Sequence, residues 1–184
     1  MSASTIKQIC SLSGSATAVL RARWYLRHTN HVGKRVRAWG RLHVMALGNL
    51  WIGDRVQLVG TITPIELAAG PDSSLQIGEQ VFINYGCSIA ALERVDIGPR
   101  CNIGTYVNIM DNNFHHLEPE RRNERPASAA VTLEENVWLG ARVIVLPGVR
   151  IGAGSVVAAG SIVNRDIPPR SLAAGVPARV IRSL

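Results

Sequence analysis

The chain has few aromatic residues, few cysteines and no long apolar run. Aromatics are 5% of its 184 residues, while 47% are hydrophobic. A core can therefore form, but Ile, Val, Leu, Ala and Cys must fill it rather than rings. Cys10, Cys87 and Cys101 are odd in number and form no CxxC pair, which fits buried thiols in a reducing compartment better than a disulfide framework. No apolar stretch approaches the ~20 residues that cross a bilayer. The segment from Ile9 to Leu20 is diluted by Ser11, Ser13, Gly14, Ser15 and Thr17, so it makes a poor secretory signal core. The expectation is a cytoplasmic protein.

Acidic residues are missing from the first 53 positions. Lys7, Arg21, Arg23, Arg27, Lys34, Arg35, Arg37 and Arg41 stand there unopposed, whereas the remainder carries twelve Arg against thirteen Asp and Glu. The net charge of +7 thus belongs to one end. A basic face suits nucleic acid, anionic lipid or an acidic substrate. No aromatic-basic RNA motif, zinc-finger spacing or helix-turn-helix signature accompanies it, so no nucleic-acid partner is expected. No glycine-rich phosphate loop is present either.

What the chain does have is a period of six. Apolar residues recur at Leu133, Leu139, Val145, Ile151, Val157 and Val163, and earlier at Ile77, Ile83, Ile89 and at Ile97, Ile103, Ile109. Four positions after most of them comes a second small or β-branched residue, as at Val81, Cys87, Cys101, Val107, Val137 and Ser155. Glycine often follows directly, as in Ile97-Gly98, Ile103-Gly104, Leu139-Gly140 and Ile151-Gly152. Six matches neither a helix nor a long alternating strand. It matches a chain that turns a corner every six residues, three corners closing one coil of a parallel β-helix.

The pattern divides the chain into an N-terminal helical segment (1–30), a β-helix (31–166) with a non-repeating excursion (110–130), and a tail (167–184). Residues 5–27 read as a helix, with Ile6, Ile9, Ala16, Leu20 and Trp24 roughly on one face. Two roles fit it: a cap on the base of the solenoid, or a surface helix lying on a membrane with Trp24 and Tyr25 at the interface. The second would make the protein peripheral at the inner membrane face. Residues 31–60 carry a degenerate repeat (Val32-Gly33, Ala38, Val44, Ile52-Gly53, Leu58), and the turn-rich residues 63–74 are expected to leave the coil.

The excursion holds His115 and His116, and its sequence Asp111-Asn112-Asn113-Phe114-His115-His116-Leu117-Glu118-Pro119-Glu120-Arg121-Arg122 resembles a loop of the hexapeptide-repeat acyltransferases. In the sugar O-acetyltransferases of that family, galactoside and maltose enzymes among them, the loop commonly reads D-T-D-F-H-P-L-D-P-E-E-R. Asn136-Val137-Trp138-Leu139-Gly140-Ala141 is similar to the family's N-V-W-I-G-x segment. The resemblance is close over 75–184 and implies a left-handed parallel β-helix, an exception to the usual right-handed crossover. It places His115 at the catalytic histidine, with His116 at a common Pro and Asn113 at a common Asp. Asp111 is then the nearest candidate to orient the imidazole, a main-chain carbonyl being the alternative. It places Ala141 N–H near the thioester carbonyl, Gly140, Ala159 and Gly160 along the pantetheine arm, and Asn164, Arg165, Arg179 and Arg182 near the nucleotide end of coenzyme A. Asn84 matches an asparagine that contacts the acceptor hydroxyl, though an asparagine steadying a coil corner is an equal reading.

The resemblance therefore implies an acetyl-coenzyme A-dependent O-acetyltransferase acting on a sugar or on a glycan or glycolipid precursor of polysaccharide biosynthesis, built as a homotrimer and needing no metal. Two other classes fit a β-helix. A γ-carbonic-anhydrase-like enzyme needs three imidazoles converging on a metal, which the adjacent pair His115-His116 does not provide. A silent scaffold need not keep the histidine loop and the coenzyme A tail together.

Overall fold

A computed structural model describes residues 12–184. The expected apolar residues Ile6 and Ile9, together with Lys7 and Cys10, lie outside the described residues. After the helix α1 (Leu12–Tyr25), the chain winds as short parallel strands into a three-sided solenoid. One face stacks His31–Val32, Asn49–Ile52, Ser74–Ile77, Arg94–Ile97, Val131–Leu133 and Arg150–Ile151 in that order, every pairing parallel. The second and third faces are stacked in the same way. They are joined by Gln57–Ala69, whose first half pairs with Phe82–Ile83 and whose second half pairs with Ser88–Ala91 across a corner.

The sixfold residues form vertical columns inside. Ile52, Ile77, Ile97, Leu133 and Ile151 sit in register on the first face. Leu58, Ile83, Ile103, Leu139 and Val157 do so on the second. Leu67, Ile89, Ile109, Val145 and Val163 complete the third. All are at most 2% exposed. Burying one such side chain contributes about 1.5–3 kcal/mol, so the repeat is the source of stability as well as of shape.

The glycine after each repeat residue answers a different need. At Gly53, Gly78, Gly98, Gly104 and Gly140 a Cβ would lie 2.6–2.8 Å from main-chain atoms of the next coil. These glycines let coils approach at the corners. The left-handed residue comes two positions later instead, as at Arg55, Gln80, Arg100, Tyr106 and Arg142. The second small position has its own task. Cys87 and Cys101 donate their thiols to the carbonyls of Gly104 and Glu134, both at 3.0 Å, and Ser161 donates to Ala158 at 2.7 Å.

Two expectations change. Residues 63–69 do not leave the coil: they remain in Gln57–Ala69, and Ile65, Leu67 and Ala69 are fully buried. Against the preceding coil, register passes from Gly40–Gly60 to Leu42–Ile65, so residues 61–64 face Arg41 alone and include three extra residues, where Pro64 needs no ladder N–H. The helix is also turned differently. Its buried side is Ala18, Ala22 and Leu26, while Leu20 and Trp24 are 68% and 60% exposed. The small alanines permit close packing on Arg37–Ala46, and the bulkier stripe faces away.

Gly98→Ala should cost about 1–3 kcal/mol, the range for overpacking, because the new methyl meets main chain that cannot give way. Gly160→Ala, where nothing lies within 4 Å of a built Cβ, should cost only the strain of its φ of +73°. Denaturant unfolding of both variants tests this; equal losses would reject the close-approach explanation.

Candidate active site

The third-face strand Asn108–Met110 ends where the excursion begins, and coiling resumes at Val131–Leu133. Buried polar residues close the neck. Asp111, 1% exposed, accepts main-chain N–H bonds from Leu92, Glu93 and Arg94 at 2.7–3.1 Å, and its own carbonyl accepts from Ala129 at 2.8 Å. Asn112, 3% exposed, donates to the Pro126 carbonyl and Ser128 Oγ, both at 2.9 Å, and accepts Phe114 N–H at 2.6 Å. The charged, exposed loop is thus tied to the solenoid by groups that have lost water and must keep these bonds.

Beyond the neck the two histidines differ. His115 Nδ1 lies 2.8 Å from the carbonyl of Arg122. A carbonyl only accepts, so Nδ1 carries the proton, and the neutral ring keeps its lone pair on Nε2. Arg122 is itself fixed, its guanidinium donating to the Leu117 carbonyl at 2.9 Å. His116 Nε2 instead faces a guanidinium nitrogen of Arg121 at 3.2 Å, which can only donate, so that lone pair is occupied. Asp111 does not orient His115: its carboxylate is committed to the 92–94 turn. The main-chain alternative is the one the structure forms. Among the described residues no three His, Cys, Asp or Glu side chains are grouped to hold a metal ion.

Of the residues matched to the acyl carrier, Gly140, Ala141, Ala159 and Gly160 gather along one edge, the corner between the second and third faces. Asn84 N–H donates to Ile103 O, Gly104 N–H to Leu139 O, and Gly140 N–H to Val157 O, so 84–86, 104–106, 140–142 and 158–160 stack over four coils. Ala141 O accepts Gly160 N–H at 2.9 Å, and a Cβ on Gly140 would lie 2.6 Å from Ala159 N. The edge is therefore nearly bare of side chains at Gly140, Ala141, Ala159 and Gly160. Asn84 accepts Tyr85 N–H at 2.9 Å and borders an open depression of about 580 Å³ with Asn102, Asn136 and Trp138.

Arg179 and Arg182 lie on the final strand Ala178–Ser183, antiparallel to Ser171–Gly175, in register with Ala174 and Leu172. Both are exposed, and among the described residues their guanidinium groups hydrogen-bond to the Ala178 and Ser183 carbonyls. Asn164 and Arg165 are exposed one corner further along, after Ile162–Val163.

Sequence reasoning missed an aromatic group on the carrier edge. Tyr85 and Tyr106 meet edge-to-face at 5.6 Å, Tyr106 OH is 3.0 Å from Thr63 Oγ1, and the Arg142 guanidinium lies 5.6 Å from the Tyr106 ring. The signal was Gly86, where any Cβ would strike the Tyr106 ring. Cys87 and Cys101 behave as the composition suggested: burial pushes each thiol up to about 11, which disfavours the thiolate a nucleophile needs.

The family described as Bacterial transferase hexapeptide (six repeats) matches residues 130–165. Galactoside O-acetyltransferase of Escherichia coli is 34% identical over 159 residues, covering 85% of this chain and 72% of that protein. Galactoside O-acetyltransferase of Lactococcus lactis is 38% identical over 112 residues, 60% of this chain and 54% of that one, so the chain spans about half the length of some relatives. A hexapeptide-repeat acetyltransferase of Vibrio cholerae, solved in complex with acetyl coenzyme A, superposes with a TM-score of 0.64 at 25% identity, covering 96% of this chain and 91% of that one. The chain belongs to the hexapeptide-repeat acyltransferase family.

Asp111→Asn should lower stability by about 1–3 kcal/mol, because an amide NH₂ would face main-chain donors and leave at least one unpaired. Proteolysis within 112–128 should accelerate. Loss of activity with unchanged stability and cleavage would return Asp111 to a role at the imidazole.

Proposed function

We propose that the chain is an acetyl-coenzyme A-dependent O-acetyltransferase whose acceptor is a hydroxyl of a sugar or of a glycan or glycolipid precursor. The observation that supports it most is the His115 tautomer: with Nδ1–H given to the Arg122 carbonyl, Nε2 is a free acceptor on an exposed loop. Nε2 would take the acceptor hydroxyl's proton as its oxygen attacks the thioester carbonyl. Ala141 N–H would stabilise the oxyanion, for which a backbone donor suffices. Collapse breaks the carbon–sulfur bond, the sulfur recovers the proton from His115, and the acetyl ester and free coenzyme A result. No acyl-cysteine is invoked, since both described thiols are buried and protonated.

The shape of the edge supports a thin carrier there. Gly160 and its neighbours leave room for a thin pantetheine arm, and Arg179 and Arg182, free of carboxylate partners among the described residues, would meet phosphates. The His115 loop springs from the neighbouring corner rather than from this edge. A second copy would bring a loop to each edge, and a homotrimer closes that arrangement by cyclic symmetry. The names of the Escherichia coli and Lactococcus lactis relatives support a sugar acceptor.

His115→Ala should lower kcat by about 10²–10⁴-fold with little change in coenzyme A affinity, and His116→Ala should be mild. Steady-state turnover with acetyl-coenzyme A and sugar acceptors checks this; retained activity in His115→Ala, or equal losses in both, rejects the assignment. Arg179→Ala should weaken coenzyme A by roughly ten- to a hundred-fold, the loss of a charged hydrogen bond, and leave phosphate-free pantetheine analogues almost unaffected. Calorimetric titration of both ligands is decisive: equal weakening would mean that Arg179 acts through packing.

A further inference from the structure

The cations of the N-terminal region and its unburied apolar residues share one end of the solenoid. Arg21 and Arg23 project from α1, Arg27 lies in the turn after it, Lys34 and Arg35 turn the first corner, and Arg37 and Arg41 belong to the first coil's strand. Between positions 12 and 53 there is no acidic residue. None of these seven cations forms an ion pair with a carboxylate among the described residues. The same end exposes Leu20 (68%), Trp24 (60%), Met45 (48%) and Leu47 (66%). Leu20 and Trp24 are four residues apart on the outer side of α1, and a cleft of about 220 Å³ separates Trp24 and Tyr25 from Leu42 and Val44. Arg27 covers the Trp24 ring at 4.9 Å and donates to its carbonyl at 2.7 Å, so ring and charge are presented together.

We propose that this end of the solenoid docks on an anionic lipid bilayer. Among the described residues the capping role uses Ala18, Ala22 and Leu26, with Tyr25 partly buried against the core, so it leaves the Leu20–Trp24 stripe unexplained. A second copy is a poor occupant, because seven unpaired cations would face seven. A nucleic acid would match the charge but gives no purpose to Leu20, Met45 and Leu47. The interface of an anionic bilayer takes both, with headgroup phosphates meeting guanidinium groups and the acyl boundary accepting Trp and Leu. No described helix is long and apolar enough to cross a membrane, so the contact would be peripheral.

The test uses the full chain and sedimentation with vesicles of phosphatidylcholine, with and without phosphatidylglycerol. Binding should require phosphatidylglycerol and fall steeply with added salt. Replacing Arg21, Arg23 and Arg27 by Gln should weaken it by roughly fivefold per charge. Leu20→Ser with Trp24→Ser should abolish sedimentation at physiological salt while leaving the melting curve intact, since both side chains are exposed; Met45→Ser, on a different element, should weaken it independently. Trp emission should shift to the blue on vesicles, and Trp24→Phe should remove the shift. Absence of binding at low salt overturns the proposal. So does binding that ignores Leu20, Trp24 and Met45 and is competed fully by DNA, which would mark a polyanion site instead.

Discussion

Everything in this molecule depends on how closely one coil can lie on the next. Parallel main-chain hydrogen bonds hold neighbouring strands about 4.8 Å apart. On the flat faces that spacing is easy. At the corners the chain bends toward the coil above, and a side chain on the bend would collide with it. Glycine at 53, 78, 98, 104 and 140 removes the collision, and the left-handed residue two places later completes the bend. Inside, the same spacing stacks Ile on Ile and Leu on Leu. Because the interior is narrow, aliphatic residues fill its columns, with pairs such as Leu75 and Ile77 or Val95 and Ile97 on the first face, and among the described residues no ring joins them.

The same constraint shapes the edge proposed for the carrier. Corners that must be small for stacking are also smooth, so a groove for a thin ligand costs no additional design. Chemistry, by contrast, needs side chains at defined positions, which smooth corners cannot supply. The chain supplies them by leaving the coil once, at Asp111. The excursion is highly charged and mostly exposed, yet its root is held by two buried polar residues whose bonds are all to main chain or to Ser128. This arrangement gives a mobile-looking sequence a fixed base, and it leaves the His115 ring to be set by a second local contact within the loop.

The repeat was legible because burial at every sixth position imposes a period that survives substitution among Ile, Leu and Val. The excursion was legible as the place where the period fails. What could not be read came from contacts distant in sequence. Asp111 stands four residues from His115, so proximity suggested a partnership; its actual partners at 92–94 belong to the previous coil turn. Tyr106 over Gly86 depends on corner stacking across twenty residues. For α1, periodicity found an apolar stripe, but alanines won the buried side because a helix lying against a coil favours close approach over bulk. The extra residues at 61–64 hid inside a strand because Pro64 and its neighbours sit at a corner, where a turn signal and a coil corner look alike.

A solenoid of equal steps is also a ruler. The histidine loop leaves after the fourth coil, three spacings above the coil that rests on α1, a height of about 14–15 Å. One further coil of some eighteen residues would raise the loop by one step without disturbing its root, the carrier edge or the basic end, since each coil touches only its neighbours. Reach is therefore a property this architecture can change by whole increments, independently of chemistry. Differences in coil number below the loop would sort otherwise similar chains by how far from their base they work.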